Sequence, residues 1–338
     1  MTITDTRTMR AAVVDRFGGP EVVAVVDRPR PEPADGELLV RVHASTVSIA
    51  DHRLRTREVP RGLGLIVGPA IGFRRPKHPV LGMEAAGVVE AVGPAVTRFA
   101  PGDEVILMRG ARFGCHAELV TVPEDGEVAR KPANLSFEEA AAVVFGGHTA
   151  LRYLDLVEIG PGSEVLVNGA SGAVGTAVVQ LAARRGARVT AVTSGRNAEL
   201  VRSLGAAHVI DHTREDFAAP ASGASGAEAR YDVIVECVGN APFARVGHLI
   251  RPGGALLLVI SDLAGMVGAA LRPRRRGILV NQAGGPMGSE GMARLAALAE
   301  VGDLRPVIDR AYDLDDIVEA HRYVDTGRKR GSVVVRVG

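Results

Sequence analysis

The sequence predicts an α/β protein with two structural units, one mostly β and the other a doubly wound parallel sheet covered by helices. Three observations lead to this fold class. The length of 338 residues exceeds what a single hydrophobic core usually supports. The N-terminal third contains short β-type runs separated by Gly and Pro, whereas strand and helix patterns alternate from residue 164 onward. These later strands are continuously apolar, as in parallel sheets buried on both faces.

The mostly β unit extends from Met9 to about Pro123. Turn signals such as Gly18-Gly19-Pro20 and Pro101-Gly102-Asp103 separate its strands, and helical periodicity is scarce. The predicted strands are residues 11–14, 38–43, 86–92, 104–107 and 117–122.

The α/β unit begins with a helix whose N-terminus is marked by a capping box, Ser136 with Glu139. This helix is predicted to run towards Tyr153. The predicted strands that follow are residues 164–168, 188–193, 209–211, 233–236, 255–260 and 277–281, with helices at 173–185 and 198–204. The C-terminal part is predicted to hold helices at 292–301 and 314–323 and a last strand at 332–337.

Composition and charge restrict the class of protein. The net charge of +1 predicts no nucleic-acid partner. The N-terminus lacks the apolar region of a signal peptide, and the longest apolar stretch, residues 62–73, is shorter than the roughly 20 residues of a membrane-spanning helix. Two cysteines, Cys115 and Cys237, suit a reducing compartment. We therefore expect a cytoplasmic protein that binds no membrane.

Two further segments have more than one interpretation. Residues 62–73 are rich in Gly and flanked by Arg, which favours a mobile loop or lid over a membrane-surface anchor. The basic run Arg272, Arg274, Arg275 and Arg276 is either a solvated loop or a surface that attracts an acidic ligand.

A glycine-rich turn joins the first strand of the α/β unit to the next helix. Its core is Ala170-Ser171-Gly172-Ala173-Val174-Gly175, so small residues stand where the chain turns sharply. Such a turn lets a pyrophosphate approach the backbone, and the N–H groups at the start of the helix bind it. A Gly-rich turn without a ligand is the alternative. The strand–turn–helix context predicts dinucleotide binding.

The end of the second strand indicates which dinucleotide is bound. An NAD site usually has Asp or Glu there, for the ribose 2′-hydroxyl. This strand ends in Thr193-Ser194-Gly195-Arg196, a hydroxyl and a guanidinium that suit the 2′-phosphate of NADPH. The alternative for Arg196 is an exposed arginine at a helix start. The sequence predicts NADPH as the cofactor.

At this point the sequence resembles the medium-chain dehydrogenase/reductase superfamily, in its zinc-free quinone oxidoreductase branch, from Met9 to Val337. The matching segments are residues 80–87 (VLGMEAAG), 99–105, 132–141, 148–150, 170–175, 205–211 and 331–335. The resemblance implies a GroES-like catalytic domain formed by residues 1–127 and 290–338, with a Rossmann NADPH-binding domain at 128–289 inserted between them. It also implies a homodimer, often formed through the last strand of the nucleotide domain, here 277–281.

The resemblance also indicates whether this sequence retains the zinc ligands of related enzymes. Zinc alcohol dehydrogenases of the superfamily carry Cys and His ligands at positions that are Ser48 and Met83 here. A hydroxyl and a thioether do not replace a thiolate and an imidazole. His78, His116 and His148 remain conceivable ligands but lack ligand spacing, so we expect no metal site.

Hydride transfer to a quinone or an α,β-unsaturated carbonyl runs without a metal, because hydrogen-bond donors can carry the charge that develops on the carbonyl oxygen. The candidate catalytic residues are Ser48, Asp51, His52 and His148. Asp51 either fixes its loop or touches a small-molecule substrate, and His52 is either a proton donor or an exposed loop histidine. His148 stands just before the pair that, by resemblance, lies beside the nicotinamide, and it binds either the substrate carbonyl or the cofactor amide.

The expected cofactor contacts are Thr149, Ala170, Ser171, Gly172, Ala173, Val174, Gly175, Ser194, Arg196 and Val238. The predicted function is a zinc-independent, NADPH-dependent quinone or enone oxidoreductase. Two alternatives stay open: a pathway-specific reductase in natural-product biosynthesis, and a non-catalytic NADPH-binding protein.

Overall fold

The computed structural model describes residues 7–58, 72–219, 230–260, 274–275, 278–281 and 286–338. Most of the predicted lid at 62–73 lies outside the described residues, as do Arg272, Arg276 and the side chains of Arg274 and Arg275. No helix in the described ranges is both long enough and apolar enough to span a membrane.

The first sheet contains strands from both ends of the chain. Its strands and those of an adjoining hairpin are β1 Thr8–Val14, β2 Val23–Pro29, β3 Glu37–Val47, β4 Glu84–Val92, β5 Glu104–Met108, β6 Leu119–Pro123, β7 Val128–Arg130, β15 Ile308–Asp313 and β16 Ser332–Arg336. β1 and β2 form the antiparallel hairpin, and the sheet order is β15-β16-β3-β4-β5-β7, with β6 also paired to β3. β16 runs antiparallel to β3, with Val333 opposite Val47. The C-terminal strand therefore completes the N-terminal sheet.

Two helices accompany this sheet. They are α1 Ile49–Thr56, directly after β3, and α7 Ile317–Asp325, between β15 and β16. The predicted helix at 314–323 begins instead with a 3-10 turn at Leu314–Asp316, and β15 before it was not predicted. β15 alternates half-buried and exposed residues rather than forming a continuous apolar run, which explains why its pattern was weak.

The second sheet follows the predicted alternation of strands and helices. Its strands are β8 Glu164–Asn168, β9 Arg188–Thr193, β10 Ala206–Asp211, β11 Tyr231–Glu236, β12 Ile250–Leu258, β13 Arg274–Arg275 and β14 Ile278–Asn281. The accompanying helices are α2 Phe137–Leu154, α3 Ala173–Arg184, α4 Ala198–Ser203, α5 Phe243–Val246 and α6 Gly288–Glu300.

The order of this sheet is β10-β9-β8-β11-β12-β14-β13, parallel throughout except for β13. The chain moves outward from β8 to β10 on one side and from β11 to β14 on the other. The strand order therefore reverses between β8 and β11, and doubly wound sheets bind ligands in the crevice at that point. The predicted fold class, a mostly β unit plus a doubly wound parallel sheet, is confirmed. The domain boundaries at residues 127/128 and 289/290 stay a prediction, and β7 pairs with β5 just past the first of them.

Helix α2 packs against both sheets and thereby fixes the position of one sheet relative to the other. Its capping box forms as predicted: the Glu139 N–H donates to Oγ of Ser136 at 3.2 Å, and the Ser136 N–H donates to Glu139 at 2.9 Å. The Ser332 hydroxyl at the start of β16 donates to the carbonyl of Ala142 in α2 at 3.0 Å. The N–H of Gly331 donates to the carbonyl of Ser171 at 2.8 Å. The first sheet is thus held directly against the glycine-rich turn.

Candidate active site

A cleft of about 1820 Å³ lies between the two units. Its described wall includes one face of α1, the glycine-rich turn, the end of β9, the residues after β11, the loop after β10, Val324 and residues 327–329. Pockets for single small molecules are usually about 300–1,000 Å³. This cleft therefore has room for a dinucleotide together with a second ligand.

The glycine-rich turn forms the floor of the cleft. Gly169 has φ +81°, a conformation that favours glycine. A Cβ on Gly175 would lie 2.1 Å from the carbonyl oxygen of Gly169, so this residue permits close contact between α3 and the turn. Gly172 is the N-cap of α3 and provides no side-chain cap. The first N–H groups of α3 therefore remain available to an anion in the cleft.

The structure places the expected cofactor contacts on the cleft wall, with one exception. Thr149, Ser171, Gly172, Ala173, Val174, Gly175, Ser194, Arg196 and Val238 line it. Ala170 is fully buried behind the turn. Val238 is 48% exposed, a high value for an apolar side chain and one that suits a surface meant to be covered. Their roles as cofactor contacts stay a prediction.

The region around Ser194 contains a carboxylate that the sequence argument missed. Asp211, at the end of β10, lies so close to Gly195 that a Cβ there would be 2.5 Å from Oδ2 of Asp211. Its Oδ1 accepts from the hydroxyl and N–H of Thr213, at 2.7 and 3.0 Å. These hydrogen bonds, foremost that of the Thr213 hydroxyl, lower the pKa of Asp211. The sequence could have indicated Asp211, because it ends a predicted strand and the ends of neighbouring parallel strands meet at one edge of a sheet.

Arg196 lies beside this carboxylate but is not held by it. The side chain is exposed, and its guanidinium makes no hydrogen bond or ion pair with any residue that the structure describes. Arg214, by contrast, approaches Asp211 at 3.6 Å. Among the described residues at this end of the cleft, Arg196 is a cation that no protein group holds.

Ser48 and Asp51 bind each other and the loop before β4. The hydroxyl and the N–H of Ser48 each donate to Oδ2 of Asp51 at 2.7 Å, and Oδ1 accepts from the N–H of Gly82 at 2.7 Å. Both side chains are buried, and neither lines the cleft. Two roles were considered for Asp51, and these contacts agree with the role of fixing its loop.

His52 belongs to a polar cluster that joins α1 to α7. Its Nδ1 lies 2.7 Å from Asp325 and its Nε2 lies 3.2 Å from Glu58. Arg55, fully buried, donates to both oxygens of Asp325 at 2.6 Å. His52 is on a helix and only 16% exposed, so the alternative of an exposed loop histidine is wrong. It does not line the cleft either.

His148 is buried and bound to a glutamate. Its Nε2 lies 2.6 Å from Oε1 of Glu127, and that oxygen also accepts the N–H of Met287 at 2.6 Å. Burial opposes the charge on Glu127, but its hydrogen bond and attraction to His148 outweigh burial and lower the pKa of this carboxyl. His148 is absent from the cleft wall. No local pattern around Glu127 indicates this partner.

The cleft instead exposes cations that the sequence argument passed over: Arg53, Arg152 and Lys329. The ammonium of Lys329 donates to the carbonyl of Gly331 at 2.6 Å. Burial lowers the pKa of Lys329 to about 8, although Glu84, Asp309 and Asp51 favour the charged form. Burial, assisted by Asp51, raises the pKa of Glu84 to about 8.

Three of the residues weighed in connection with zinc are engaged elsewhere. Ser48 binds Asp51, Met83 packs against the hydrophobic cores, and Nε2 of His116 lies 2.9 Å from the carbonyl of Thr46. Within the described ranges, no group of three or more His, Cys, Asp or Glu side chains is arranged to hold a metal ion.

Two protein families match this chain. Residues 34–133 match the alcohol dehydrogenase GroES-like domain, and residues 204–335 match the family described as zinc-binding dehydrogenase. A 2-methylene-furan-3-one reductase of Solanum lycopersicum is 30% identical over 316 residues, covering 90% of this chain and 73% of that protein.

A polyketide synthase protein and a solved structure are also similar. NorB of the spectinabilin polyketide synthase system of Streptomyces orinoci is 33% identical over 329 residues; the match covers 94% of this chain but only 14% of that protein. The structure of a quinone oxidoreductase from Coxiella burnetii superposes with a TM-score of 0.84 at 28% identity, covering 98% of this chain and 100% of that one.

Proposed function

The chain belongs to the medium-chain dehydrogenase/reductase superfamily, in its quinone oxidoreductase-like branch, and on that premise we propose that it is a zinc-independent, NADPH-dependent reductase of quinones or α,β-unsaturated carbonyls. The observation that carries the proposal is the composition of the cleft. It combines a glycine-rich turn and an unpaired arginine on one side with a largely apolar wall on the other.

The residues present fit NADPH. The turn at Gly172 and Gly175 leaves backbone open to a pyrophosphate, and the start of α3 provides N–H donors for it. Ser194 and Arg196 suit a 2′-phosphate, because a hydroxyl and a free guanidinium form charge-assisted hydrogen bonds with it. Asp211 is already satisfied by its own turn. Thr149 and Val238 line the cleft, and we assign them to the nicotinamide end of the cofactor.

The nicotinamide supplies a hydride when it is bound. The chain contributes an apolar wall that includes Leu54 and Phe113 and limits water around the substrate. The negative charge that develops on the carbonyl oxygen needs a donor. We assign that role to Lys329, which lines the cleft and has a pKa near 8, so that it holds a proton at neutral pH and can release it. Ser48, Asp51, His52 and His148 then serve as positioning residues.

The metal-free part of the proposal rests on Ser48 and Met83. They occupy the positions of two zinc ligands in the zinc alcohol dehydrogenases, and their hydroxyl and thioether are unsuited to zinc. Ser48 is also committed to Asp51.

The test is NADPH oxidation with a panel of quinones, enones and simple aldehydes, with NADH and an added chelator as controls. We expect turnover of quinones or enones that prefers NADPH and resists the chelator. Turnover of aldehydes alone, or loss of activity with chelator, contradicts the metal-free conjugate reduction.

The match to NorB supports one alternative, a pathway-specific reductase in natural-product biosynthesis. In that case simple quinones are poor substrates and an enoyl or enone intermediate of the pathway is turned over instead. Tight NADPH binding without oxidation by any member of the panel would identify the other alternative, a non-catalytic NADPH-binding protein.

Two assignments accompany the proposal. We place the protein in the cytoplasm, where both cysteines, which are free, stay reduced. We also propose a homodimer. β14 pairs with β12 on one side and with the two residues of β13 on the other, so this short hairpin forms the edge of the described sheet. Analytical ultracentrifugation of the purified protein tests the dimer.

A further inference from the structure

The substrate side of the cleft carries one charged residue on an otherwise apolar helix face. Ile49, Ala50, Arg53 and Leu54 of α1 line the cleft, and their spacing places them on one side of the helix. This face and the glycine-rich turn line the same cleft. A ligand that shares the cleft with the dinucleotide therefore meets the guanidinium of Arg53.

Arg53 is not held by any acceptor in the described part of the chain. It makes no hydrogen bond or ion pair with any residue that the structure describes, and it is half-buried. Burial lowers the pKa of Arg53, and the charge of Glu58 offsets this only in part. The carboxylate of Glu58 lies against Nε2 of His52 at 3.2 Å rather than on Arg53.

The next arginine on the same helix shows the contrast. Arg55 is fully buried and is held by Asp325 and by the carbonyl of Gly18 at 2.6–2.7 Å. A desolvated guanidinium normally has such acceptors, because an unpaired buried charge is costly. Arg53 is half-buried and has no such acceptor among the described residues, and its planar fork matches the two oxygens of a carboxylate or phosphate.

We propose that Arg53 binds an anionic group on the substrate, so that the substrates of this cleft are α,β-unsaturated carbonyl compounds carrying a carboxylate or a phosphate. This inference rests on the proposed reductase function and adds the charge class of its substrate. The anion arises either from a carboxylate on the enone itself or from the phosphates of a coenzyme A thioester.

The experiment compares matched substrate pairs. Acetylacrylate and its methyl ester differ by one carboxylate charge, and crotonyl-4′-phosphopantetheine and crotonyl-pantetheine differ by one phosphate, which coenzyme A also carries. We measure kcat/KM for each with the wild-type protein and with Arg53→Met, Arg53→Lys and Arg112→Met. Arg112 is an exposed arginine of the same unit that does not line the cleft, so its variant controls for the loss of one positive charge.

We expect the wild type to prefer the anionic member of one pair by roughly 10- to 100-fold, as for a hydrogen bond to a charged group. Arg53→Met loses most of that preference, Arg53→Lys keeps part of it, and Arg112→Met keeps all of it. The preferred pair identifies the carboxylate or the phosphate as the anion. No preference for the anion in the wild type, or a preference that survives Arg53→Met, overturns the proposal.

A binding measurement separates this proposal from the proposed reductase function. Levulinate resembles acetylacrylate but has no double bond to reduce. Calorimetric titration of the NADP⁺-bound protein with levulinate and with its methyl ester therefore tests the anion site without turnover. If no enone is reduced but levulinate binds to the wild type and not to Arg53→Met, the anion site stands and the reductase function fails. If enones are reduced but neither the rates nor levulinate binding depend on Arg53, only the anion site fails.

Discussion

The Nε2 atom of His148 lies 2.6 Å from the Oε1 atom of Glu127, in a contact that ties α2 to the residues just before β7. The same oxygen accepts the N–H of Met287 at the start of α6. One carboxylate thus joins three segments of the chain. The histidine that the sequence predicted to bind either the substrate carbonyl or the cofactor amide is thus bonded to a carboxylate outside the cleft wall.

Replacing Glu127 by Ala should destabilise the protein by about 1–3 kcal/mol, because a buried imidazole and a buried N–H lose their common acceptor. Urea unfolding at neutral pH measures the change. Glu32, an exposed carboxylate, provides the control, and Glu32→Ala should stay within about 0.5 kcal/mol of the wild type. If both variants change the free energy of unfolding equally, the contact between Glu127 and His148 does not contribute to stability.

Two glycines of the turn should separate stability from cofactor binding. A Cβ on Gly175 meets the Gly169 carbonyl at 2.1 Å, so Gly175→Ala should cost about 1–3 kcal/mol through overpacking. A Cβ on Gly172 has its nearest neighbour at 3.5 Å and faces the cleft. Gly172→Ala should therefore keep the unfolding free energy but raise the Kd for NADPH by roughly tenfold, or about 1.4 kcal/mol. NADPH fluorescence titration measures the Kd, and unchanged affinity in Gly172→Ala would remove the turn from the cofactor site.

Arg196 should decide the preference between NADPH and NADH. Arg196→Gln should raise the Kd for NADPH roughly 10- to 100-fold and leave that for NADH almost unchanged, because only NADPH carries the 2′-phosphate. Arg202, exposed on α4 and absent from the cleft wall, serves as the matched control through Arg202→Gln. A wild type that binds NADH as tightly as NADPH would contradict the assignment, and Asp211 would then become the candidate contact to the ribose.

Lys329 should impose a pH limit on turnover. Its pKa of about 8 means that it carries a proton below that pH and loses it as the pH rises through about 8. We therefore expect kcat/KM to fall above about pH 8, while Lys329→Met has a lower kcat/KM without this alkaline fall. Steady-state rates across the pH range, with the Kd for NADPH measured in parallel, separate proton donation from cofactor binding. If kcat/KM still falls above about pH 8 in Lys329→Met, a group other than Lys329 causes that fall.

The buried pair His116 and His321 should make the protein sensitive to acid. His321 is fully buried, and neither of its ring nitrogens has a hydrogen-bond partner among the described residues. Burial first, and then His116, Arg55 and His52, hold the pKa of His321 well below 6.5. The folded protein keeps this imidazole neutral, whereas the unfolded chain protonates it. Stability is therefore complete above about pH 6.5 and falls below it by up to about 1.4 kcal/mol per pH unit.

His321→Leu should reduce this dependence, and His248→Gln, at an exposed site, should not. Urea unfolding between about pH 8 and about pH 5.5 compares the slopes. The same slope in His321→Leu and the wild type would show that other groups cause the acid sensitivity.

Local sequence patterns predict those parts of the site that are formed by residues close together in the chain. The turn from Ala170 to Gly175 needs small residues at adjacent positions, and Ser194 and Arg196 follow the next strand directly. The capping box of Ser136 and Glu139 is similarly local and forms as predicted, and of the residues expected to contact the cofactor in the turn and after the strand, only Ala170 is absent from the cleft wall. Asp211 was missed although the parallel order of the strands brings its strand end beside Ser194.

Two of the catalytic candidates, His52 and His148, were harder to place, because their partners are distant in sequence. His52 meets Asp325 across 273 residues, and the carboxylate that binds His148 lies 21 residues earlier in the chain. Polar side chains of the same type either face a cleft or hold a helix in place, and local sequence does not distinguish the two. Packing does: α1 turns Arg53 to the cleft while His52 and Arg55 face α7.

The periodicity of apolar residues, the glycine turn and the long aliphatic strands are enough to establish a doubly wound nucleotide-binding unit with a β unit beside it, because each is a local consequence of backbone geometry. Which cations face the second ligand depends on how β16 pairs with β3 and how α2 packs between the sheets. That arrangement brings Lys329 beside the glycine-rich turn and places Arg53 in the cleft without a partner among the described residues. The chemical role of a charged side chain depends on its burial and on its nearest partner, and only the tertiary structure determines these two properties.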